Sequence, residues 1–404
     1  MLLLCVAAPL AAAEAPRVLL PRQHLQPEEL AVLVNDRDPL SRRIGRYYVE
    51  RRGIPERNLV HLSFPPDKPV LSPERFAPLR QRMLERIGPQ VQALALTWVT
   101  PYRVGCMSIT TAFAAGFDPA WCSARTCAPT RRSAYFDSRS TLPRDDHGLL
   151  PAMSIAALDF EQARALIERG IAADGSFPRG AAYLLETHDR NRSVRARRFP
   201  LVEKLFGDLL DIRILKRNSI RDRDDIMFYF TGLKQVPHLD TLDFLPGAVA
   251  DHLTSAGGAL TGKSQMSALR WLEAGATGSY GTVVEPCNLL GKFPDPATLM
   301  VHYLTGNSLI ETYWKSVAMP GEGIFIGEPL AAPFAGYRLE TTDDGLRLTT
   351  HALAPGRYRI EAAPALAGPF SPTPATILVR QAGRAIDLPH LDAAVIRFRR
   401  LSQR

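Results

Sequence analysis

Short apolar runs alternate with amphipathic segments over most of the chain. In the segment 41–52, for example, Ile44, Tyr47 and Tyr48 recur at the three- and four-residue spacing of one helix face. Such alternation is typical of βαβ units, in which consecutive strands lie parallel and helices cross between them. The pattern therefore predicts an α/β fold, with a mostly parallel sheet flanked by helices, over residues 14–335. The predicted strands are 31–34, 59–64, 91–98, 153–158, 181–185, 212–215, 225–230, 247–250 and 278–284, and the predicted helices are 41–52, 74–87, 160–173, 202–210 and 264–274.

The pattern changes after Pro333 and Phe334. Four short runs, 337–348, 356–362, 375–382 and 393–401, often alternate apolar and polar residues and are separated by Pro, Gly and Asp. Alternation with a period of two is typical of strands that bury one face only. Residues 336–404 are therefore predicted to form a small antiparallel β domain.

The first thirteen residues, MLLLCVAAPLAAA, form an apolar run that ends in small residues. This is the pattern of a secretory signal peptide, although no basic residues precede the apolar stretch. The run is too short to span a bilayer as a helix. We therefore expect residues 1–13 to be a signal peptide, the protein to be exported to the periplasm or secreted, and no transmembrane segment to be present.

The chain carries a formal charge of +8, and its excess arginines concentrate in the segments 42–57 and 190–198. Basic runs of this kind either bind nucleic acid or form solvated helix faces. No helix-turn-helix pattern and no interleaved aromatic residues accompany them. The sequence therefore favours solvated faces and predicts no nucleic-acid partner.

Four cysteines remain after the predicted signal peptide. Cys106, Cys122 and Cys127 lie close together, whereas Cys287 is distant in sequence. In an oxidising compartment, two of the three clustered cysteines are expected to form a disulfide bond, which leaves Cys287 as a lone thiol. The cluster lacks a nearby fourth ligand, so a structural zinc site is disfavoured.

Polar side chains follow most of the predicted strands. If the sheet is parallel, these residues share its carboxyl edge, where α/β proteins bind their ligands. We therefore predict a cleft there for a small-molecule or peptide ligand. The predicted binding residues are Asn35, Asp36, Asp38, Arg103, His188, Asp189, Thr231 and Glu285.

Three hypotheses describe this edge. In the first, His252 acts as a general base and Cys287 as the nucleophile of a thiol-dependent hydrolase, because an imidazole can remove the thiol proton. In the second, Asp36, His188, Asp189 and His252 hold a divalent metal that activates water. In the third, which the sequence favours, the edge is a binding cleft without catalysis. No cofactor is predicted.

Several motifs together resemble a family of exported bacterial proteins of unknown function. The pattern V-L-V-x-N-x-x-x-P-x-S-x-x-I-x-x-Y-Y-x-x-x-R-x-I-P-x-x-N-L matches residues 32–59, with the arginine shifted by one position. Further matches are P-G-A at 246–248, G-x-x-G-x-V-x-E-P at 278–286 and G-[DE]-P-L-x-x-P at 327–333. The resemblance covers about residues 30–335 and implies export, but it implies no particular activity.

The core of that family is similar to the caspase-like sheet of gingipain-type cysteine peptidases. In those enzymes a His-Gly pair follows one strand and a cysteine follows the next. On this resemblance, Thr231 and Gly232 occupy the place of the His-Gly pair, and the segment around His252 contains no cysteine. A dyad of His252 and Cys287 would therefore follow strands one position later in the chain than the strands that carry the peptidase dyad. This departure favours a binding protein over a peptidase.

Overall fold

The computed structural model describes residues 15–123 and 127–401, so the predicted signal peptide lies outside the described residues. The chain divides into two compact units. One unit comprises residues from Gln23 to Ala335. The other combines the described residues up to Arg22 with those from Gly336 onward, so the first strand of the chain belongs to the same unit as the last ones.

The strands, numbered in chain order, are β1 Arg17–Leu19, β2 Leu30–Asn35, β3 Leu59–Leu62, β4 Val70–Leu71, β5 Ala93–Leu96, β6 Arg103–Val104, β7 Met107–Ser108, β8 Ala152–Ser154, β9 Ala181–Glu186, β10 Asp211–Lys216, β11 Arg223–Thr231, β12 Leu242–His252, β13 Gly278–Thr282, β14 Gly323–Gly327, β15 Tyr337–Thr342, β16 Gly345–Thr350, β17 Gly356–Ala363, β18 Ser371–Val379, β19 Ile386–Pro389 and β20 Val395–Arg400. The α-helices are α1 Pro39–Arg52, α2 Pro73–Arg86, α3 Ile109–Ala115, α4 Pro143–His147, α5 Phe160–Ala173, α6 Phe199–Phe206, α7 Leu269–Glu273, α8 Pro296–Leu304 and α9 Leu309–Ser316.

The larger unit is built on a sheet that, among the described residues, has ten strands in the order β10-β9-β11-β12-β13-β14-β8-β5-β2-β3. The ladders from β10 to β13 and from β8 to β3 are parallel, and β14 runs antiparallel to β13. Helices flank this sheet, and the same unit contains a short three-stranded sheet, β4-β6-β7. The predicted α/β fold class is therefore confirmed.

The central strands are apolar because both of their faces are covered. β2 reads LAVLVN and β5 reads ALAL, and every residue of both strands is buried. Parallel strands covered by helices on both sides have this continuous apolar pattern rather than an alternating one. The same physical cause makes these strands easy to predict from the sequence.

Hydrogen bonds at the start of β14 bring segments from the two halves of the sheet together. Its first residue, Gly323, pairs with Thr282 at the carboxyl end of β13. At the start of α3, which follows β5, the hydroxyl of Thr110 donates to the carbonyl of Gly323 and that of Thr111 to the carbonyl of Pro320. The segments that follow β5 and β13 therefore reach the same edge.

The smaller unit is a sandwich of two sheets, β1-β20-β17-β18 and β15-β16-β19. Its core contains Leu348, Tyr358, Ile360, Val379 and Ile396, which alternate with exposed residues along their strands. The run 337–348, predicted as one strand, forms the hairpin β15–β16 instead, because Asp343 and Asp344 make the turn.

One further sequence prediction differs from the structure. The helix predicted over 264–274 is shorter and extends only from Leu269 to Glu273. The residues before it form a loop that bonds to the segments following β11 and β12. In this loop Met266 N–H donates to Lys234 O, and Ala268 N–H donates to Gly257 O.

Among the described helices, none combines the length and the apolar character that crossing a membrane would require.

Candidate functional site

The predicted site residues lie on the carboxyl edge of the sheet, but they form two separate sets. Asn35 ends β2 and Asp36 follows it, whereas His252 ends β12. Five strand-to-strand steps separate β2 from β12. At the usual spacing of neighbouring strands this is about 24 Å. The prediction of one common groove is therefore wrong: strand direction brings these residues to one edge, and strand order keeps them apart.

At the β2 end of the edge, Asn35 is a buried structural residue. Its amide Nδ2 donates to the carbonyl of Phe64 at 3.0 Å, and its Oδ1 accepts from the backbone N–H groups of Phe64 and Arg37, each at 3.2 Å. Its own N–H donates to Ser41 Oγ at 2.9 Å. All of these partners are neutral and internal and Asn35 is fully buried, so its side chain has a structural role and does not face a ligand.

The other predicted residues at this end also have local roles. Asp36 pairs through Oδ1 with His61 Nδ1 at 2.6 Å, and both side chains are exposed. Asp38 is the N-cap of α1, because its Oδ1 accepts from the N–H of Leu40 at 2.9 Å. Arg103 donates to the carbonyl of Gly105, two residues away. These contacts explain the residues without a bound ligand.

At the β12 end, a cleft of about 360 Å³ opens between the segments that follow β9, β12 and β13. This volume is within the range of small-molecule sites. The cleft contains both charged and apolar side chains. Its lining residues are Cys127, Asn191, Arg192, Leu253, Thr254, Ser255, Glu285, Pro286, Cys287, Asn288 and Phe293.

Arg192 forms one wall of this cleft. Its Nη1 donates to Asp189 Oδ2 at 2.7 Å and its Nε donates to Thr254 Oγ1 at 3.0 Å. The Thr254 hydroxyl donates in turn to Gln265 Oε1 at 2.7 Å. Partial burial raises the pKa of Asp189, but hydrogen bonds and charge from Arg192 outweigh it and keep that pKa below its ordinary value. The guanidinium is thus held in place while a quarter of its side chain stays exposed.

The segment containing Arg192 packs tightly against the end of β11. A Cβ on Gly232 would lie 1.9 Å from the carbonyl oxygen of Arg192, so only glycine fits there. Thr231, predicted to bind a ligand, is buried, and its carbonyl accepts from the N–H of Leu253. His188, also predicted to bind, bonds through Nδ1 to Asn218 Oδ1 at 2.7 Å and does not line the cleft.

Cys287 lies in the cleft as a disulfide rather than as a free thiol. It is bonded to Cys127, while Cys106 is bonded to Cys122. The expected disulfide within the cysteine cluster is therefore confirmed, but the prediction of a lone thiol at Cys287 is wrong. Sequence spacing could not show this pairing because the two residues are 160 positions apart. A thiolate at Cys287 requires prior reduction of this bond.

Glu285 stabilises the turn that carries Cys287. The Glu285 Oε1 atom accepts from the Cys287 N–H at 2.8 Å, and Cys287 adopts a left-handed φ of 52°. A carboxylate that accepts such a local bond favours a turn. The Glu285 residue is exposed and lines the cleft, so its charge also faces any bound ligand.

His252 is buried behind the cleft, and both of its ring nitrogens have partners. The indole Nε1–H of Trp271 donates to Nδ1 at 2.9 Å, so Nδ1 is an acceptor. Nε2 therefore carries the proton and donates to the carbonyl of Met266 at 3.1 Å. Burial lowers the pKa of His252 to about 4, which keeps the ring neutral at ordinary pH. His252 does not line the cleft that contains Cys287.

A buried ion pair that the sequence analysis missed supports this end of the sheet. Arg195 Nη2 lies 2.5 Å from Asp251 Oδ1, and each residue is 2% exposed or less. Arg195 Nη2 also donates to the carbonyl of Thr231 at 3.0 Å, and its guanidinium lies over the ring of Phe230. Burial raises the pKa of Asp251 above its ordinary value, although Arg195 opposes the shift. The sequence did not distinguish Arg195 because it lies in the arginine-rich run 190–198, which was predicted to be solvated.

The structure does not bring the residues of the metal hypothesis together. Asp36 follows β2 and His188 follows β9, seven strands apart in the sheet, and both nitrogens of His252 are occupied. Within residues 15–123 and 127–401, no group of three or more His, Cys, Asp or Glu residues is arranged to hold a metal ion. The metal-dependent hypothesis is therefore wrong for this set of ligands.

A second cleft, of about 530 Å³, lies between the segments 235–240 and 262–270. Gln265 connects the two clefts, because it lines the second one while its Oε1 accepts from Thr254 and from the N–H of Ala256. The second cleft includes His238 and Arg270 but none of the predicted site residues. The Arg192 cleft is therefore the candidate site.

Comparison with known proteins adds similar structures but no sequence relative. No protein-family profile and no curated protein matches the chain. A solved complex of the Porphyromonas gingivalis RgpB pro- and mature domains is similar, with 10% sequence identity, a TM-score of 0.43, and coverage of 91% of this chain and 94% of that one. A second structure, described as a protease, has the same identity and TM-score and covers 94% and 96%.

Proposed function

We propose that the α/β unit binds a short peptide, or a small zwitterionic molecule like one, in the Arg192 cleft and does so without thiol catalysis. The supporting observation is the cleft's chemistry. Its lining contains a positioned guanidinium and a carboxylate, but its sulfur is in a disulfide and the nearby imidazole is occupied. Such a cleft can recognise charge without attacking a bond.

The polar groups of the cleft suit the two ends of a peptide. Arg192 provides a guanidinium, whose fork of N–H donors matches a carboxylate. Glu285 offers a negative charge to an ammonium group, and the amides of Asn191 and Asn288 can bond to peptide groups between them. Leu253 and Phe293 also line the cleft, but they are 3% and 2% exposed and offer only a small apolar surface.

Titration calorimetry with trialanine tests this proposal, with C-terminally amidated trialanine as the comparison. We expect trialanine to bind and the amide to bind more weakly, because it lacks the carboxylate. Arg192→Gln should weaken trialanine binding by about ten- to a hundredfold, the size of a lost charged hydrogen bond. Arg198→Gln is the matched control, because Arg198 pairs with Asp295 at the protein surface and does not line the cleft.

Two results would overturn the proposal. One is equal binding of trialanine by the Arg192→Gln and Arg198→Gln proteins, or no binding by the native protein. The other is amidase activity that appears when the Cys127–Cys287 disulfide is reduced and that Cys287→Ala abolishes, which would show thiol catalysis in the cleft. Iodoacetamide labelling gives an independent reading, since Cys287 should be labelled only after the disulfide is reduced.

We also propose that the protein functions outside the cytoplasm. Two disulfides, Cys106–Cys122 and Cys127–Cys287, support this location, because disulfides persist in oxidising compartments. The apolar segment 1–13 supplies the matching export signal. Fractionation of cells that express the full chain should recover a shortened protein outside the cytoplasm, and recovery of the intact chain in the cytoplasm would contradict the proposal.

A further inference from the structure

One face of the β1-β20-β17-β18 sheet is covered with arginines. The strand register places Arg357 and Arg359 of β17 on the same side as Arg397 and Arg399 of β20, and Arg17 of β1 joins them. All five residues are exposed. The opposite side of the sheet carries the apolar residues that form the core of the sandwich. We call the exposed side the arginine face.

The arginine face carries far more positive than negative charge. Its one acidic residue among the described residues, Glu361, lies 2.7 Å from Arg397 Nε and 3.6 Å from Arg399 Nη1. No carboxylate within the described part of the chain lies in ion-pair range of Arg17, Arg357 or Arg359. Arg359 is placed directly opposite Arg399 in the β17–β20 ladder. Like charges in such directly opposed positions destabilise a sheet.

The outer face of the other sheet in the same sandwich has the opposite arrangement. There Arg347 of β16 lies between Glu340 of β15 and Asp387 of β19 in register, and its Nε is 2.9 Å from Asp387 Oδ1. Opposite charges alternate across that face, which is the stabilising arrangement. Solvent exposure alone therefore does not explain the arginine face, since the fold carries a neutralised face ten or so ångströms away.

We propose that the arginine face binds the surface of an anionic phospholipid membrane. Arginine guanidinium groups form paired hydrogen bonds with phosphate, and a flat sheet presents several of them to a flat surface at once. Binding adds negative charge beside Arg359 and beside Arg399, which shares the single carboxylate of Glu361 with Arg397. The bound membrane thereby removes the repulsion between Arg359 and Arg399.

Apolar residues on the same face favour a lipid surface over a soluble polyanion. Leu378 lies opposite Arg357 in the β17–β18 ladder and is 54% exposed. Phe370 packs beneath the guanidinium of Arg397, with 4.2 Å between that group and the ring centre. An exposed leucine among arginines suits the boundary between lipid headgroups and acyl chains. A polysaccharide or nucleic acid backbone offers no apolar layer for it.

Co-sedimentation of the full chain with vesicles tests the proposal. The vesicles are phosphatidylcholine alone or phosphatidylcholine mixed with phosphatidylglycerol, at low and high salt. We expect binding to the anionic vesicles only, weakened by salt. Arg359→Gln with Arg399→Gln should lower the partition coefficient about thirtyfold, because each arginine near an anionic surface contributes about fivefold.

The matched control is Arg338→Gln with Arg347→Gln, which removes two exposed arginines from the other sheet. It should leave the partition coefficient within about twofold, since those charges lie a screening length or more from the arginine face. Thermal melts of the arginine-face variant and of the control variant check that each protein is folded. The arginine-face variant should melt no lower than the native protein, because it relieves a like-charge pair.

Three outcomes would overturn the proposal. The first is equal binding of the native protein to neutral and anionic vesicles. The second is an equal loss of binding in the two variants, which would indicate a general charge effect. The third is arginine-face-dependent binding to heparin without binding to vesicles, which would identify a soluble polyanion as the partner instead.

Discussion

The two ends of the sheet's carboxyl edge use polar residues in different ways. At the β2 end, Asn35 and Ser41 are fully buried, and each bonds to neutral groups of the protein. At the β12 end, Arg192 and Glu285 remain partly or fully exposed beside a cleft, and a buried ion pair lies behind them. Position at a strand end is the same in both cases. The difference is whether the polar atoms already have hydrogen-bond partners within the protein.

This difference separates structural polar residues from candidate binding residues. The Ser41 hydroxyl accepts from the Asn35 N–H and lies 2.7 Å from Thr97 Oγ1. Thr97 donates its own hydroxyl proton to the carbonyl of Leu33, so Ser41 must be the donor to Thr97. The network at the β2 end is thus closed, whereas Arg192 keeps donor capacity beside a cavity.

The largest expected effect comes from breaking the ion pair at the β12 end. Arg195→Met would leave the Asp251 carboxylate buried without its counter-charge. We expect the free energy of unfolding to fall by about 3–5 kcal/mol, measured by denaturant titration. Arg198→Gln removes an arginine from a solvent-exposed pair in the same run and should cost less than about 1 kcal/mol. Equal losses in the two variants would show that Arg195 is not energetically distinct from its neighbours.

The next effect depends on pH and also concerns the β12 end. Burial lowers the pKa of His252 to about 4 in the folded protein, whereas an unfolded histidine titrates near 6.5. As pH falls from about 6.5 to 4, the unfolded state takes up a proton that the folded state does not. Stability is therefore lost in that window, by about 3 kcal/mol from this residue.

The slope of stability against pH measures this contribution. Burial also lowers the pKa of His302 and His351 to about 4, so the native protein loses stability from several sites at once. His252→Gln keeps a polar side chain but cannot titrate, and its stability should decline less steeply between pH 6.5 and 4. Parallel curves for the two proteins would contradict the assigned role of His252, whatever the absolute stability of the variant.

The smallest effects compare the two ends directly. Asn35→Ala leaves the backbone N–H and carbonyl of Phe64 unpaired in the interior and should cost about 1–3 kcal/mol. It should leave trialanine binding unchanged. Arg192→Gln should show the reverse, with a stability change below about 1 kcal/mol and a clear loss of binding. A binding defect in Asn35→Ala, measured on folded protein by calorimetry, would contradict the division of the edge into two parts.

The sequence predicted the fold class because its signals are local. Continuous apolar runs such as β2 and β5 indicate strands covered on both faces, and alternating runs near the end of the chain indicate a sandwich. The sequence did not predict β1 or β19, each of four residues or fewer. Such short strands are formed by pairing with distant partners rather than by a pattern of their own.

The cleft contains residues that the sequence did not predict, because contacts formed across the fold distinguish them. Glu285 and Cys287 line the cleft, because both follow a strand whose end faces that cavity. Arg192 was missed, since its sequence neighbours are also arginines and only its contacts with Asp189 and Thr254 distinguish it. The disulfide partner of Cys287 was missed because Cys127 is distant in sequence.

By itself, the sequence determined the fold class and the long buried strands, because burial patterns repeat over a few neighbouring residues. The tertiary structure decided which strand ends meet. In the sheet, five strand-to-strand steps separate Asn35 from His252. Cys127 forms a disulfide with Cys287, and Arg195 is buried against Asp251. These outcomes depend on the order of strands in the sheet. That order is set by packing among segments far apart in the chain, which no local pattern encodes.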